Sequence, residues 1–381
     1  MPRAADVSVN FDVRREEKLP DPPVDDTLNG SLMHKLEFYR RARHMRQNAS
    51  RSTVAVLAVL LGLGATSIDT RAAESMAGVY LLGFRGPLSG ITPPPGFYFE
   101  NDVYFYNGRL SAGRSFATGG FVGAGLKSQL RVDLLTPIWI TPVEILGGRL
   151  GFSATIPIGH AGIGAATLVS TPVGRLGARL SDSATTFGDP FVGAVLGWDH
   201  GNFHWNLNAA VNIPAGAYRD GELANIALNR PALDLTGAFT WMDPEIGLEV
   251  SFASGVTFNW TNPATNYRTG TELHLEGAVS YNLTKALSVG VIGYHYEQLT
   301  ADSGTGASLG DFKGRVSALG GTIGYNFQLG NTPVSARVKV YREFNARNRQ
   351  EGTAGFFTLS FPIGGPAPVP APASKAYRYK S

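Results

Sequence analysis

Glu272, His274 and Glu276 stand two residues apart. On an extended chain that spacing puts two carboxylates and an imidazole on one face, the donor types of a divalent-metal site. Along one strand, however, the three cover about 13 Å, too far to meet on a single ion without a bend. A salt-bridged or hydrated face is the expected role, and no metal ligand is assigned. Covalent hydrolysis would need a Ser or similar nucleophile beside a histidine with a third orienting group. Of the candidates His160, His200, His204, His274 and His295, none has a serine two residues away on its own face. The chain has no cysteine, which removes thiolate catalysis, thiolate metal sites and disulfides. No catalytic residue and no cofactor is expected.

The elements that would carry these residues are strands. Over 202–213, Phe203, Trp205, Leu207, Ala209, Val211 and Ile213 alternate with His204, Asn206, Asn208 and Asn212. The same period of two sets Leu126, Leu130, Val132 and Leu134 against Lys127, Gln129, Arg131 and Asp133. It recurs over 246–260, with Leu248, Val250, Phe252, Phe258 and Trp260 on one side, and over 270–283. A soluble sandwich buries such faces against a second sheet, whereas an outer-membrane barrel turns them to lipid. Strand length separates the two, because soluble strands usually run about five or six residues and membrane strands roughly 9 to 11. Most runs here exceed ten residues, so the fold class is all-β, an antiparallel transmembrane β-barrel.

Twelve strands are expected: 97–106, 121–134, 144–156, 190–198, 202–213, 233–242, 246–260, 270–283, 287–298, 314–328, 333–344 and 353–363. Short connections at 199–201, 243–245, 284–286 and 329–332 alternate with long ones at 214–232, 261–269, 299–313 and 345–352. One end of the barrel then carries periplasmic turns and the other extracellular loops. Trp198, Trp205, Trp241 and Tyr281 fall near the turn end, and Trp260, Tyr294 and Tyr296 near the loop end, as two interfacial girdles would. The link over 157–189 is apolar for a loop, with Ile163, Leu168, Val169, Val173, Leu176 and Leu180, and is expected to pack on neighbouring loops or fold back as a lid.

With apolar faces outward, the lumen lining is expected to be Lys127, Gln129, Arg131, Asp133, Arg149, His204, Asn206, Asn208, Asp234, Glu249, Glu272, His274, Glu276, Arg315, Arg337 and Lys339. Both signs are present, so strong ion selectivity is not expected. These charges either line a hydrated path or pair across a narrow lumen and close it.

Charged residues make up 17% of the chain, below the usual quarter, as a lipid-facing exterior demands. A net charge of +3 with dispersed basic residues offers no nucleic-acid surface. Residues 53–65 form an apolar run too short to span a bilayer and read as the core of a signal peptide at 45–73. The polar 1–44 stretch reads as a disordered extension, with Met45 or Met33 the expected translation start. Residues 74–96 are an N-terminal periplasmic or lumenal segment, 97–363 the barrel, and 364–381 a Pro/Ala-rich basic tail.

Local stretches carry a family likeness. Pro93-Pro94-Pro95-Gly96-Phe97-Tyr98 leads into the first strand, Phe187-Gly188-Asp189-Pro190 opens the fourth, and Ile213-Pro214-Ala215-Gly216-Ala217-Tyr218 closes the fifth. Gly324-Tyr325-Asn326-Phe327, Tyr341-Arg342-Glu343-Phe344, Asn348-Arg349-Gln350-Glu351-Gly352 and Phe361-Pro362-Ile363 follow in order. Together, over residues 74–364, they resemble the outer-membrane proteins named for the meta-pathway of phenol degradation. The resemblance implies a channel or transporter for small hydrophobic or aromatic solutes, set in outer-membrane lipid and inserted by the barrel assembly machinery. It supplies no substrate-binding residues. The stiff Pro-Ala tail departs from the family pattern and suggests a periplasmic contact such as the cell wall. The rival readings are a closed structural or interaction barrel anchored by that tail, and an outer-membrane hydrolase.

Overall fold

Long two-sided strands can satisfy their backbone in lipid only by closing into a ring, and this chain does so. The computed structural model describes residues 6–11, 78–109, 117–118, 121–122, 126–171, 174–307 and 313–364. The signal-peptide run at 53–65, nearly all of the 1–44 extension and the tail after Gly364 lie outside the described residues. A six-residue strand at Asp6–Phe11 is the described part of that extension.

The strands are β1 (Gly96–Arg109), β2 (Lys127–Ile145), β3 (Gly148–Thr171), β4 (Gly174–Phe187), β5 (Phe191–His200), β6 (Phe203–Asn212) and β7 (Ala232–Asp243). They continue as β8 (Leu248–Asn259), β9 (Glu272–Asn282), β10 (Leu287–Gln298), β11 (Arg315–Leu329), β12 (Thr332–Arg347) and β13 (Glu351–Pro362). Twelve of them form an antiparallel ring in which β13 returns to pair with β1, from Glu351↔Arg109 to Pro362↔Tyr98. The exception is β4. The first part of β3 pairs with β5, from Arg149↔Gly197 to Thr155↔Phe191, and the rest pairs with β4, from Ile158↔Phe187 to Thr171↔Gly174.

The expected apolar loop at 157–189 is therefore a β-hairpin that prolongs the wall. With β2 at 19 residues and β3 at 24, this sector runs well beyond the roughly 9 to 11 residues needed to cross a bilayer. The turn between β2 and β3 is Leu146-Gly147, both with positive φ (52° and 74°), the geometry of a two-residue hairpin turn. The tight turns at the same end fall where the sequence places them, after His200, Asp243, Asn282 and Leu329.

Outward residues are apolar and exposed along most strands, among them Leu207, Phe239, Phe252, Val279, Val291, Leu319, Ile323 and Val340. Trp198 stacks on Trp205 near the turn end, and Trp260 and Tyr281 are half-exposed. Tyr294 and Tyr296 are a correction to the girdle, since both are buried inside the barrel. Their hydroxyls donate to Glu343 and Glu272, so they serve as interior hydrogen-bond donors instead of headgroup anchors.

Arginine at a midplane lipid-facing site costs roughly 2 to 4 kcal/mol. Val291→Arg should lose that much folding stability in lipid vesicles by urea titration, whereas Gln129→Arg, above the belt, should change it by less than about 0.5 kcal/mol.

Candidate functional site

The interior of the ring is occupied by its own N-terminal segment. Residues 78–95 form no strand or helix, so their backbone groups need side-chain partners, and inward polar residues of the wall supply them. Glu276 accepts from the Gly83 amide at 2.6 Å, and Glu249 and Ser251 accept from the Leu88 amide at 2.8 and 3.1 Å. The Thr240 hydroxyl accepts from Gly90 N–H at 2.9 Å. In the opposite sense Asn206 donates to Ser89 O, Arg149 to Thr92 O, and Lys339 to the carbonyls of Gly83 and Phe84. The Lys339 ammonium also sits 4.4 Å from the centre of the Phe356 ring, a cation–π contact.

Glu272, His274 and Glu276 lie on one inward face but turn to different partners. Glu272 accepts from Tyr296 Oη at 2.7 Å and Asn259 Nδ2 at 2.9 Å. His274 Nε2 is 2.8 Å from Asp234, and its ring stacks on Tyr80 at 3.6 Å. Burial, with Glu276 beside it, pushes the Tyr80 hydroxyl well above its ordinary pKa, so this phenol stays protonated. Asp234 accepts in addition from Thr236 and Thr257 at 2.6 Å each. Arg149 and His204 converge on Asp199 at the turn end, and Asn208 donates to Asn206 at 2.6 Å. Arg337 points inward beside Gly324.

Five expected lumen residues face the other way. Lys127, Gln129 and Arg131 are exposed on the outer surface, while Ser128, Leu130, Val132 and Leu134 are buried inside. Asp133 shares the outer face and accepts from Asn101. Arg315 follows the same inversion: Val316 and Ala318 are buried inside, and Arg315 sits in register with Glu297. The physical reason is common to both. These positions lie at the loop end, where water lies outside the wall and the polar face belongs outside.

The inverted residues create an apolar chamber that reading the alternation as one uniform pattern missed. A cavity of about 60 Å³ is bounded by Leu130, Val132 and Leu134 of β2, Val79 and Leu81 of the inner segment, and Ile226 of the 213–231 loop. Asp189 fixes that loop: buried, it accepts from the amides of Gly216, Leu228 and Asn229 at 2.8 to 2.9 Å and from Asn212 Nδ2 at 3.3 Å. Two of the sequence motifs meet here. A Cβ on Gly216 would lie 2.5 Å from the carbonyl carbon of Gly188, so the Ile-Pro-Ala-Gly run closes directly onto Phe-Gly-Asp-Pro. That pair of motifs was the available signal for the site.

A family model described as "Putative MetA-pathway of phenol degradation" matches residues 112–359. Among solved structures, the COG4313 outer membrane channel from Pseudomonas putida F1 is similar with a TM-score of 0.58 and 13% identity, covering 73% of this chain and 99% of that one. A FadL homologue from Pseudomonas aeruginosa gives a TM-score of 0.36 at 11% identity over 77% of this chain and 97% of its own. The translocator domain of the autotransporter NalP from Neisseria meningitidis gives 0.37 at 11% over 72% and 91%. No curated protein matches the chain. The closed ring is that of a bacterial outer-membrane β-barrel.

Two substitutions probe the arrangement. A Cβ at Gly90 would lie 2.4 Å from Thr240 N and 2.7 Å from His204 O; Gly90→Val should expel this part of the inner segment, seen as faster limited proteolysis within 85–92 while heat-modifiable gel mobility stays native. Asp189→Ala should destabilise the folded barrel by roughly 2 to 5 kcal/mol, because it strips several backbone amides of a charged acceptor, with hydrogen exchange rising first over 214–231.

Proposed function

Because the chain belongs to the family described as "Putative MetA-pathway of phenol degradation", we propose that it is an outer-membrane channel that passes small hydrophobic or aromatic solutes. The observation that carries this reading is the apolar chamber at the loop end. Its walls are mostly apolar, with Leu130, Val132, Leu134, Phe191 and Ile226 beside the polar Asp189 and Asn212, and apolar pockets with a few polar groups are the usual form of small-molecule sites. The mixed charges below it are engaged with the inner segment or with neighbouring residues of the wall, so they favour a seated plug over a water-filled, ion-selective lining. At about 60 Å³ the chamber is less than half the roughly 150 Å³ that admits benzene in an apolar cavity. Passage of an aromatic ring then requires displacement of residues 78–81 or of the 225–228 stretch, parts of the wall that belong to no strand.

The test is uptake of radiolabelled naphthalene and of a sugar of similar size by cells producing the protein in an outer membrane deprived of its own hydrophobic-solute channels. Production should raise naphthalene uptake several-fold and leave sugar uptake unchanged. Val132→Glu should abolish most of the gain, as a charge in an unpaired apolar site is costly. Equal uptake by the variant would take the chamber off the route.

A further inference from the structure

We propose that the outer surface of β1, β2 and β3 at the loop end binds the phosphates of a phosphorylated glycolipid in the outer leaflet. The outward positions on these strands change character in order. On β1, Val103 is followed by Phe105, Asn107 and Arg109, and on β2, Leu135 and Asp133 are followed by Arg131, Gln129 and Lys127. Arg109, Lys127, Arg131 and His160 are all exposed. The register sets Arg109 opposite Lys127, and Arg131 opposite His160. Directly opposed side chains on neighbouring strands stand about 5 Å apart, and the two pairs are separated by about 13 Å along β2. Gln129 and Asn107 lie between them as neutral hydrogen-bonding groups, in register with each other.

Like charges placed directly opposite one another destabilise a sheet, and an anion shared by Arg109 and Lys127 turns that repulsion into binding. The nearby acids leave the patch cationic. Asp133 is engaged by Asn101, and Glu351 faces Arg109 while lying 3.5 Å from the Ala346 amide. Lys127 and Arg131 have no acid opposite them in the register, their partners being Arg109 and Gly164, and Phe105 and His160. Depth identifies the occupant. Toward the turn end, the same outer face presents Val103, Phe357, Trp139, Phe152 and Ile156 as exposed apolar residues, so the cations begin where the lipid tails stop. Around the ring, the loop ends of β8 and β9 present Phe258, Trp260 and Leu273 outward instead. Basic side chains at headgroup depth attract anionic lipid.

The experiment is binding of labelled bisphosphorylated lipid A to the full-length protein in neutral detergent, with dephosphorylated lipid A and inorganic phosphate as competitors. Arg109→Gln, Lys127→Gln and Arg131→Gln combined should weaken binding about a hundredfold, at roughly fivefold per cation. Arg109→Lys with Arg131→Lys should stay within about threefold, because charge is kept. Dephosphorylated lipid should compete poorly. Unchanged binding by the triple variant, or competition by dephosphorylated lipid equal to the intact one, would overturn the proposal. Displacement by inorganic phosphate at the lipid's own concentration would do the same, marking a site for free anions. Heat-shifted gel mobility reports folding, and should the triple variant fail to fold, Lys127→Gln alone must show a fivefold loss for the proposal to stand.

Discussion

A backbone that crosses hydrocarbon has no water to bond, so each N–H and C=O there must find its partner in the protein. The pairing of β13 with β1 meets that demand by removing the last open edges. The rest of the structure follows from closure. Once the ring is shut, strand alternation sends one set of side chains to lipid and the other into an enclosed space. Polar groups in that space must be paired, because an isolated buried charge is far costlier than a paired one.

The chain meets this second demand with its own N-terminal segment. Residues 78–95 bring unpaired amides and carbonyls into a lumen rich in unpaired carboxylates, hydroxyls and a lysine, and each set satisfies the other. Gly83 shows the reciprocity: its amide goes to Glu276, and its carbonyl takes Lys339 and, at 3.1 Å, Tyr341. Hydrogen bonds to charged groups contribute about 1.5 to 3 kcal/mol each, so the seated segment and the barrel wall stabilise one another. The mixed signs of the lining have this simple origin. Glu276 and Glu249 are placed where the segment offers N–H groups, Lys339 and Arg149 where it offers carbonyls, while Glu272 and Asp234 are paired within the wall.

What the sequence conveyed and what it hid divide along the same physical line. Period-two alternation, strand number and the position of tight turns are local properties, and residues such as Leu207, Phe252 and Val279 announce their lipid-facing side directly. The inward placement of Asp234, Glu249, His274 and Lys339 follows from that side by elimination. The rule inverts where the lipid ends, because water outside and packed apolar residues inside reverse which face is polar; Lys127, Gln129, Arg131, Asp133 and Arg315 face outward for that reason. Tyr294 and Tyr296 were misread because a tyrosine at strand-end depth suits an interface as well as an interior, and only the distant Glu343 and Glu272 decide it. The inner segment has no periodicity, and most of its partners lie more than 100 residues away, so no local pattern could place it.

The apolar chamber combines these constraints. Its β2 wall is fixed by hydrogen bonds to both neighbouring strands, so Leu130, Val132 and Leu134 cannot retreat without breaking the ring. The parts outside the sheet are held by side chains: Glu276, Lys339 and Tyr341 hold Gly83 just beyond residues 78–81, and Asp189 holds the loop that carries Ile226. Loss of the Asp189 bonds would release the loop while the inner segment, held also by Glu249, Thr240, Asn206, Arg149 and Lys339, stayed seated. On the proposed route, a solute arriving from the loop end would meet the loop bound by Asp189 before the inner segment.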